Sequence, residues 1–375
     1  MFSHMPRVVA EIEKDAITHN YRQIKKHIAS YTKIMAIVKA DAYGHGAIEI
    51  AKLLQDEEVD YLAVAIAEEG AQLREAGITR PILVLGYTPA TDIRLLIDND
   101  LTQTIFSYEM AKYISYEASK LKKRVKIHIK VDTGMGRIGF LPHPTSIEEI
   151  LKINKLPNIE IEGIYTHFSS ADEEDQTYTK KQNSIFHGFL KELNQVGIDI
   201  PLIHAANSAA IIMNENTHFD MVRLGISLYG HYPSEATGLY SMGLVPAMSL
   251  KTQVVHVKEL PKNQEIGYNR KYTTNKKTKV ATIPIGYADG YSRGLSNKGG
   301  VLIRGEYAPI IGNICMDQFM VDVSHINYVA VGDEVVVFGK QKDKEISVEE
   351  IAKILNTINY EIVCMVGKRI PRIYV

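Results

Sequence analysis

Through its first 230 or so residues the chain repeats one pattern, a short β-rich apolar run followed by a longer amphipathic stretch. The runs fall at 34–38, 61–66, 81–86, 102–106, 125–131, 159–166, 202–205 and 221–227. Helix-period stretches lie between them, as at 15–28, 67–76 and 108–121. Strands that return in parallel need a crossover, usually a helix, so this alternation predicts a parallel sheet. Eight units is the count of a closed α/β barrel, (β/α)8. A barrel over 6–240 is therefore the expected fold, with a doubly wound open sheet as the alternative. Beyond about residue 240 the grammar changes. Strand-like runs at 250–257, 280–285, 301–303, 319–323 and 334–338 follow one another with turns between, and one helix, 348–355, interrupts them. That pattern predicts a mainly β C-terminal domain over 241–375.

Composition narrows the function. The 375 residues suffice for one large and one smaller domain, and 45% are apolar. Lys and Arg number 43 against 44 Asp and Glu, a net charge of −1. That balance gives no bulk electrostatic reason to expect nucleic acid or an acidic membrane as partner. Two cysteines, Cys315 and Cys364, make no disulfide framework, so a reducing, cytoplasmic setting is expected. No apolar run is long enough to span a bilayer, and no secretory pattern opens the chain. Residues 1–5 read as a tail.

Chemistry-bearing residues cluster at the ends of the expected strands, where barrels carry their active sites. Lys39 directly follows the first run and precedes Ala40-Asp41-Ala42-Tyr43-Gly44-His45-Gly46. A lysine partly desolvated there becomes a better nucleophile toward a carbonyl. Taken alone, Lys39 reads more readily as a surface lysine at a strand end, and His45 as a structural or rim residue. After the fifth run, Lys130-Val131-Asp132-Thr133-Gly134-Met135-Gly136-Arg137-Ile138-Gly139 makes a glycine-rich turn that can pass close to a ligand. Alone it reads as a turn. His167 closes the sixth run, Ser208 follows the seventh, and Arg223-Leu224-Gly225-Ile226 forms the eighth. Barrels often bind phosphate with the loops after strands seven and eight, and Ser208 with the backbone at Gly225 and Ile226 fits that place. No metal-ligand spacing or Walker-type loop appears. A lysine on strand one and a phosphate cradle on strands seven and eight suit pyridoxal 5′-phosphate, with its aldehyde and its phosphate. They suit a phosphate-sugar aldolase as well.

The segments at 36–46, 132–139, 166–170, 204–209, 223–230, 286–290 and 315–317 together resemble the alanine racemase family, along nearly the whole chain. The resemblance implies a pyridoxal-phosphate-dependent isomerase with a (β/α)8 barrel, a β domain and an obligate homodimer. It implies that Lys39 carries the cofactor and that Tyr43, Ser208, Gly225 and Ile226 hold its phosphate. Arg223 is expected to face the pyridine nitrogen, and Arg137 the phenolic oxygen and the substrate carboxylate. Tyr268 matches the second catalytic base and, with Met316, is expected from the partner subunit. A phenol is ordinarily protonated at neutral pH, so a tyrosine base needs positive charge nearby. The family pattern puts His167 beside that tyrosine and Arg223 behind the histidine. Lys130 matches a lysine that is commonly carbamylated, and Asp172 and Tyr287 match the entrance.

Two positions depart from the family. Lys368 stands where an entrance tyrosine is usual, and Asn313 where an entrance arginine is common. Both bear on preference for alanine and on cofactor retention. The rival readings are a broader racemase acting on serine, a decarboxylase on the same barrel, and a non-catalytic pyridoxal-phosphate-binding barrel. Arg223 argues against the decarboxylase, and the β domain against the carrier.

Overall fold

The computed structural model describes residues 6–375, and the tail read at 1–5 lies outside them. The chain divides into two compact units, one formed by 16–42 with 46–245, the other by the residues up to Asp15, 43–45 and 246–375.

Strand β1 (Val8–Ile12) opens the chain. Strands β2 (Lys33–Ile37), β3 (Tyr61–Val64), β4 (Ile82–Val84), β5 (Thr102–Ile105), β6 (Val125–Lys130), β7 (Ile159–Tyr165), β8 (Leu202–His204) and β9 (Met221–Leu224) follow. β2 to β9 form a closed barrel in which β9 returns to pair with β2, Lys33 opposite Met221. All eight expected runs are strands, and closure removes the open-sheet alternative. The helices between them bury one stripe each. In Lys14–His27 the buried residues Ile17, Tyr21 and Ile24 recur at spacings of three and four.

The inside of the barrel carries buried polar groups. Thr104, His128 and His204 are all fully buried. Groups so placed must find partners. The Thr104 hydroxyl meets the Tyr165 hydroxyl at 3.0 Å, and His128 Nδ1 meets His204 Nε2 at 2.9 Å. The β6–β7 pairing steps from Ile127 opposite Ile161 to His128 opposite Gly163, leaving Glu162 as an extra, bulged residue.

The second unit is mainly β. β1 pairs antiparallel with Met248–Gln253 and parallel with Arg372–Tyr374, inside a sheet that continues through Glu334–Gln341 and Gly300–Ile303 to Glu306–Pro309. A second sheet joins His256–Leu260, Thr278–Ile283 and Phe319–Asp322. The single strand expected at 250–257 is thus two strands on different sheets. The break falls at Val254 and Val255, whose N–H groups bond to Asp333 and Thr282 in turn. A second helix, Asn359–Cys364, follows Val348–Leu355 and is too short to show a period.

One turn of this unit leaves no room for a side chain. Gly290 has φ +96°, and a Cβ there would lie 1.7 Å from the Met365 carbonyl oxygen. Beside it the buried Asp289 carboxylate takes Arg7 at 2.5 Å, Arg369 at 2.7 Å and the Gly286 N–H at 3.0 Å. Gly290→Ala is expected to destabilise the protein by about 3 kcal/mol through overpacking and left-handed strain. Urea denaturation measures this, and an unchanged midpoint would show that the turn relaxes freely.

Candidate active site

β2 ends at Ile37, and the half-buried Lys39 follows two residues later. Ala40, Asp41, Ala42 and Tyr43 then all adopt φ between 52° and 54°, a left-handed turn. L-residues resist this conformation at roughly 1–2 kcal/mol each. Fixed partners hold it. The Ala42 N–H donates to Val38 O at 2.9 Å, and the Asp41 carboxylate takes the Ala47 N–H at 2.8 Å. The Glu69 carboxylate takes the Ala40 and Ala65 N–H groups, both at 2.7 Å, and so ties the turn to the end of β3. Gly44 continues the positive φ, and a Cβ there would sit 2.4 Å from Val363 O. Tyr43 is buried, its ring 6.1 Å from that of Tyr360, and burial pushes its phenol up. The small residues here are legible in sequence; the hand of the turn and the role of Glu69 are not.

Arg223, on β9, is 4% exposed. Its guanidinium donates to the carbonyls of Thr166 at 2.9 Å and Ala205 at 2.8 Å, and to two imidazoles, His204 Nδ1 and His167 Nδ1, both at 3.0 Å. A guanidinium only donates, so both imidazoles accept through Nδ1. Burial, and then the Arg223 charge, push both imidazoles well below their ordinary value. His167 is therefore neutral at neutral pH, and in the His167–Arg223 pair the positive charge belongs to Arg223. Burial lowers Arg223 itself only to about 10, so it stays charged. The Tyr165 ring stacks on His204 with centroids 4.7 Å apart, and the guanidinium carbon lies 5.1 Å from the ring centre.

More cations gather here. Asp132 Oδ1 takes the N–H groups of Gly134 at 2.9 Å and Gly136 at 3.0 Å, fixing the loop that carries Arg137. Gly139 closes it at φ +138°, where a Cβ would meet Asp132 N at 2.6 Å. Lys130, 2% exposed, donates to Val131 O at 2.7 Å. Burial, then the Arg223 charge, lower its amine to about 7. Arg223, Arg137, Lys130 and Lys39 all act on His167 to hold it neutral. Arg223, Arg137 and Lys39, with Lys130 in part, thus bring positive charge to bear on one place, and an anion there relieves the repulsion.

Anion donors are present. The buried Ser208 hydroxyl accepts from the N–H groups of Gly225 at 3.0 Å and Ser227 at 3.4 Å. Ile226 is fully buried, and among the described residues its N–H makes no hydrogen bond. A buried donor left so is costly unless an acceptor oxygen takes it. These groups follow β8 and β9, the barrel's usual phosphate site. The residues fit a cofactor with an aldehyde for Lys39 and a phosphate for Ser208 and Ile226.

Lys39, Lys130, Arg137, His167, Asp172, Ser208, Arg223, Gly225 and Ile226 all belong to the barrel unit, whereas Tyr43, Tyr268, Tyr287, Met316 and Lys368 belong to the other. Asp172 is half-buried, and its carbonyl takes the Ser234 hydroxyl at 2.6 Å. Tyr268 is 69% exposed on the turn Tyr268–Arg270, which starts from Gly267 at φ +74°. Asn313 is buried and donates to the Tyr268 carbonyl at 2.7 Å, so it anchors that turn. Met316 and Tyr287 are exposed, with the Ala288 N–H bonded to Met316 O at 3.0 Å. Lys368 is exposed on the turn after Asn359–Cys364.

Residues 12–233 match the family model for the N-terminal domain of alanine racemase, and residues 247–374 the model for its C-terminal domain. The chain belongs to the alanine racemase family. An alanine racemase of Methanococcus maripaludis is 52% identical over 374 residues, covering 100% of both chains. One from Clostridium tetani is 50% identical, covering 100% of this chain and 97% of its own. A solved structure of the Clostridium difficile 630 alanine racemase in complex with cycloserine superposes with a TM-score of 0.94 at 43% identity, covering 100% of this chain and 96% of that one. The family consists of isomerases that use pyridoxal 5′-phosphate, which agrees with the aldehyde and phosphate seats just described.

The depressed imidazoles link stability to pH. His128, His167 and His204 bind protons more weakly folded than unfolded, so the unfolded state gains protons first on acidification. Stability is expected to fall as pH drops below about 6.5, by up to roughly 1.4 kcal/mol per pH unit for each such histidine. Urea melts from pH 8 downward measure it, and His204→Gln should flatten the slope. An unchanged slope in that variant would remove His204 from the account.

Proposed function

We propose that the chain interconverts L- and D-alanine in the cytoplasm, supplying D-alanine for a bacterial cell wall, and that two copies share each active site. The observation that carries this reading is the positive charge that Arg223, Arg137 and Lys39 bring to bear on His167, with a buried Ile226 N–H, in a chain of this family. Among the described residues no helix is long and apolar enough to cross a membrane.

In this reading the barrel over 6–240 holds the cofactor and 241–375 carries the second base. Lys39 holds the cofactor's aldehyde carbon, and Tyr43, Ser208, Gly225 and Ile226 hold its phosphate. Pyridoxal phosphate, when bound, supplies an electron sink conjugated to the substrate nitrogen, which acidifies the Cα–H. Racemisation takes that proton from one face of Cα and returns one to the other. The Lys39 amine serves the face from which D-alanine loses its proton, and the Tyr268 oxygen serves the L face. Arg137 binds the substrate carboxylate, and Met316 borders it. Arg223 faces the pyridine nitrogen and keeps its own protons, which limits side reactions such as transamination. Asp172, Tyr287 and Lys368 line the entrance. A lysine in place of the family's tyrosine there keeps a donor but loses a ring, which favours a wider range of small amino acids.

Lys130 fits carbamylation. An amine lowered to about 7 is substantially neutral at neutral pH, the form that attacks carbon dioxide. The nitrogen bonds to the carbon and releases a proton, turning a cation into an anion. Arg137 then gains a partner in place of a repelling neighbour.

Borohydride treatment of the holoenzyme is expected to fix the pyridoxyl group to the peptide containing Lys39, and the protein should racemise alanine in both directions. Labelling of another lysine would overturn the assignment of Lys39.

The exposed Tyr268, Met316 and Tyr287 suit burial against a second copy. A closed two-fold dimer makes two equivalent sites. Lys39→Ala and Tyr268→Phe homodimers should each be nearly inactive. Refolded together at equal amounts, half the dimers are mixed, and each mixed dimer has one unaltered site if the residues come from different chains. About a quarter of wild-type activity should return. No recovery, with subunit exchange confirmed by differential tags, would place both residues within one chain.

A further inference from the structure

The bonds of Arg223 do not stop at His204. His204 Nε2 lies 2.9 Å from His128 Nδ1, and His128 Nε2 lies 3.3 Å from Glu162 Oε2. Both imidazoles are fully buried. Glu162 is fixed in turn by Lys126 Nζ on its other oxygen at 2.7 Å and by the Tyr61 hydroxyl. A continuous line of hydrogen bonds therefore crosses the barrel from a buried guanidinium to a carboxylate. Among the described residues, no carboxylate lies within ion-pair distance of Arg223 itself.

Donor and acceptor rules allow this line one proton arrangement. Arg223 only donates, so His204 Nδ1 accepts. A neutral imidazole carries one proton, so His204 Nε2–H donates to His128 Nδ1. His128 must then donate through Nε2–H, and an ionised Glu162 accepts it. Both ends agree on the same tautomers. Burial and neighbouring charge keep both rings neutral. Burial would raise Glu162, but hydrogen bonds from His128, Lys126 and Tyr61 outweigh it and hold the carboxyl at about 2.

The backbone is shaped for this contact. Glu162 is the extra residue of the β6–β7 bulge, which re-aims its side chain. The next residue, Gly163, faces the His128 ring, and a Cβ there would lie 2.7 Å from it. The bulge and the missing side chain together set His128 between Glu162 and His204.

We propose that Glu162 is a positioning residue for Arg223, anchoring through His128 and His204 the line of hydrogen bonds that aims the guanidinium. The inference rests on the reading of Arg223 as the group that faces the cofactor's ring nitrogen.

Two variants test it, in holoenzyme labelled with ¹⁵N-histidine and with signals assigned through His128→Asn and His204→Asn. In the wild type both residues should read as Nε2–H tautomers. Glu162→Met removes the acceptor at similar length, so the His128 Nε2–H, still set from the Arg223 end, should lose the downfield proton shift of a hydrogen bond to a carboxylate. Its kcat should fall about tenfold, the order expected when an outer partner of a functional imidazole is lost, with KM little changed. Glu162→Gln keeps an acceptor oxygen, and should keep the tautomers and most of kcat. An unshifted His128 Nε2–H proton in Glu162→Met would overturn the proposal, as would equal losses of kcat in both variants that merely follow melting temperature. If Glu162→Met does not fold, Glu162→Gln decides, since loss of its Nε2–H signals refutes the arrangement. A wild type that does not racemise alanine would fail the functional reading while leaving the tautomer result intact.

Discussion

Burying a guanidinium is the constraint from which the barrel interior follows. Arg223 cannot give up its proton to escape desolvation, as a buried lysine or histidine can. Its removal from water costs several kcal/mol unless its donors are all met. The protein meets Nη1 and Nη2 with two carbonyls at strand ends and two imidazoles, none of them charged. Neutral acceptors leave the positive charge unneutralised at close range, so it still acts on the site. Second to burial, it helps keep His167 and His204 neutral and helps lower Lys130. A carboxylate beside Arg223 would have stabilised the fold at the expense of that field.

Lys39 is placed by an opposite device, backbone strain. A left-handed turn of non-glycine residues survives only where its surroundings over-determine it. Here two carboxylates, Asp41 and Glu69, take N–H groups in and beside the turn. The preceding residues from Ile34 to Val38 are buried strand and give the turn a rigid base. The lysine thus sits at the junction of a buried strand and a strained turn, which limits where its amine can go.

The barrel was legible because its signal is local. Each strand carries its own apolar run, and each expected run is found within a few residues of its strand. The β domain was less so. β1 pairs with strands some 240 to 360 positions away, and nothing near Val8 announces them. The run at 250–257 hid a change of sheet because both halves need apolar residues. Among site residues, Lys39, Arg223 and Ser208 were visible as polar groups at strand ends. Tyr268 was legible only through family resemblance, since an exposed tyrosine on a short turn has no pattern of its own. Asn313 read as a missing arginine, whereas its side chain is spent on the Tyr268 carbonyl. Glu162 and Glu69 were invisible, because a glutamate on a strand or a helix ordinarily faces water and only the bulge or the turn redirects it.

The same electrostatics tie ligand binding to folding. Lys39, Arg137 and Arg223 are like charges that bear on one neutral imidazole, and the Ile226 N–H is fully buried. In the proposed reading a phosphate and a carboxylate would offset that repulsion and accept that donor. A ligand that binds the folded state alone stabilises it by mass action. Like charges held together by the fold, with a buried donor beside them, would therefore couple cofactor binding to folding.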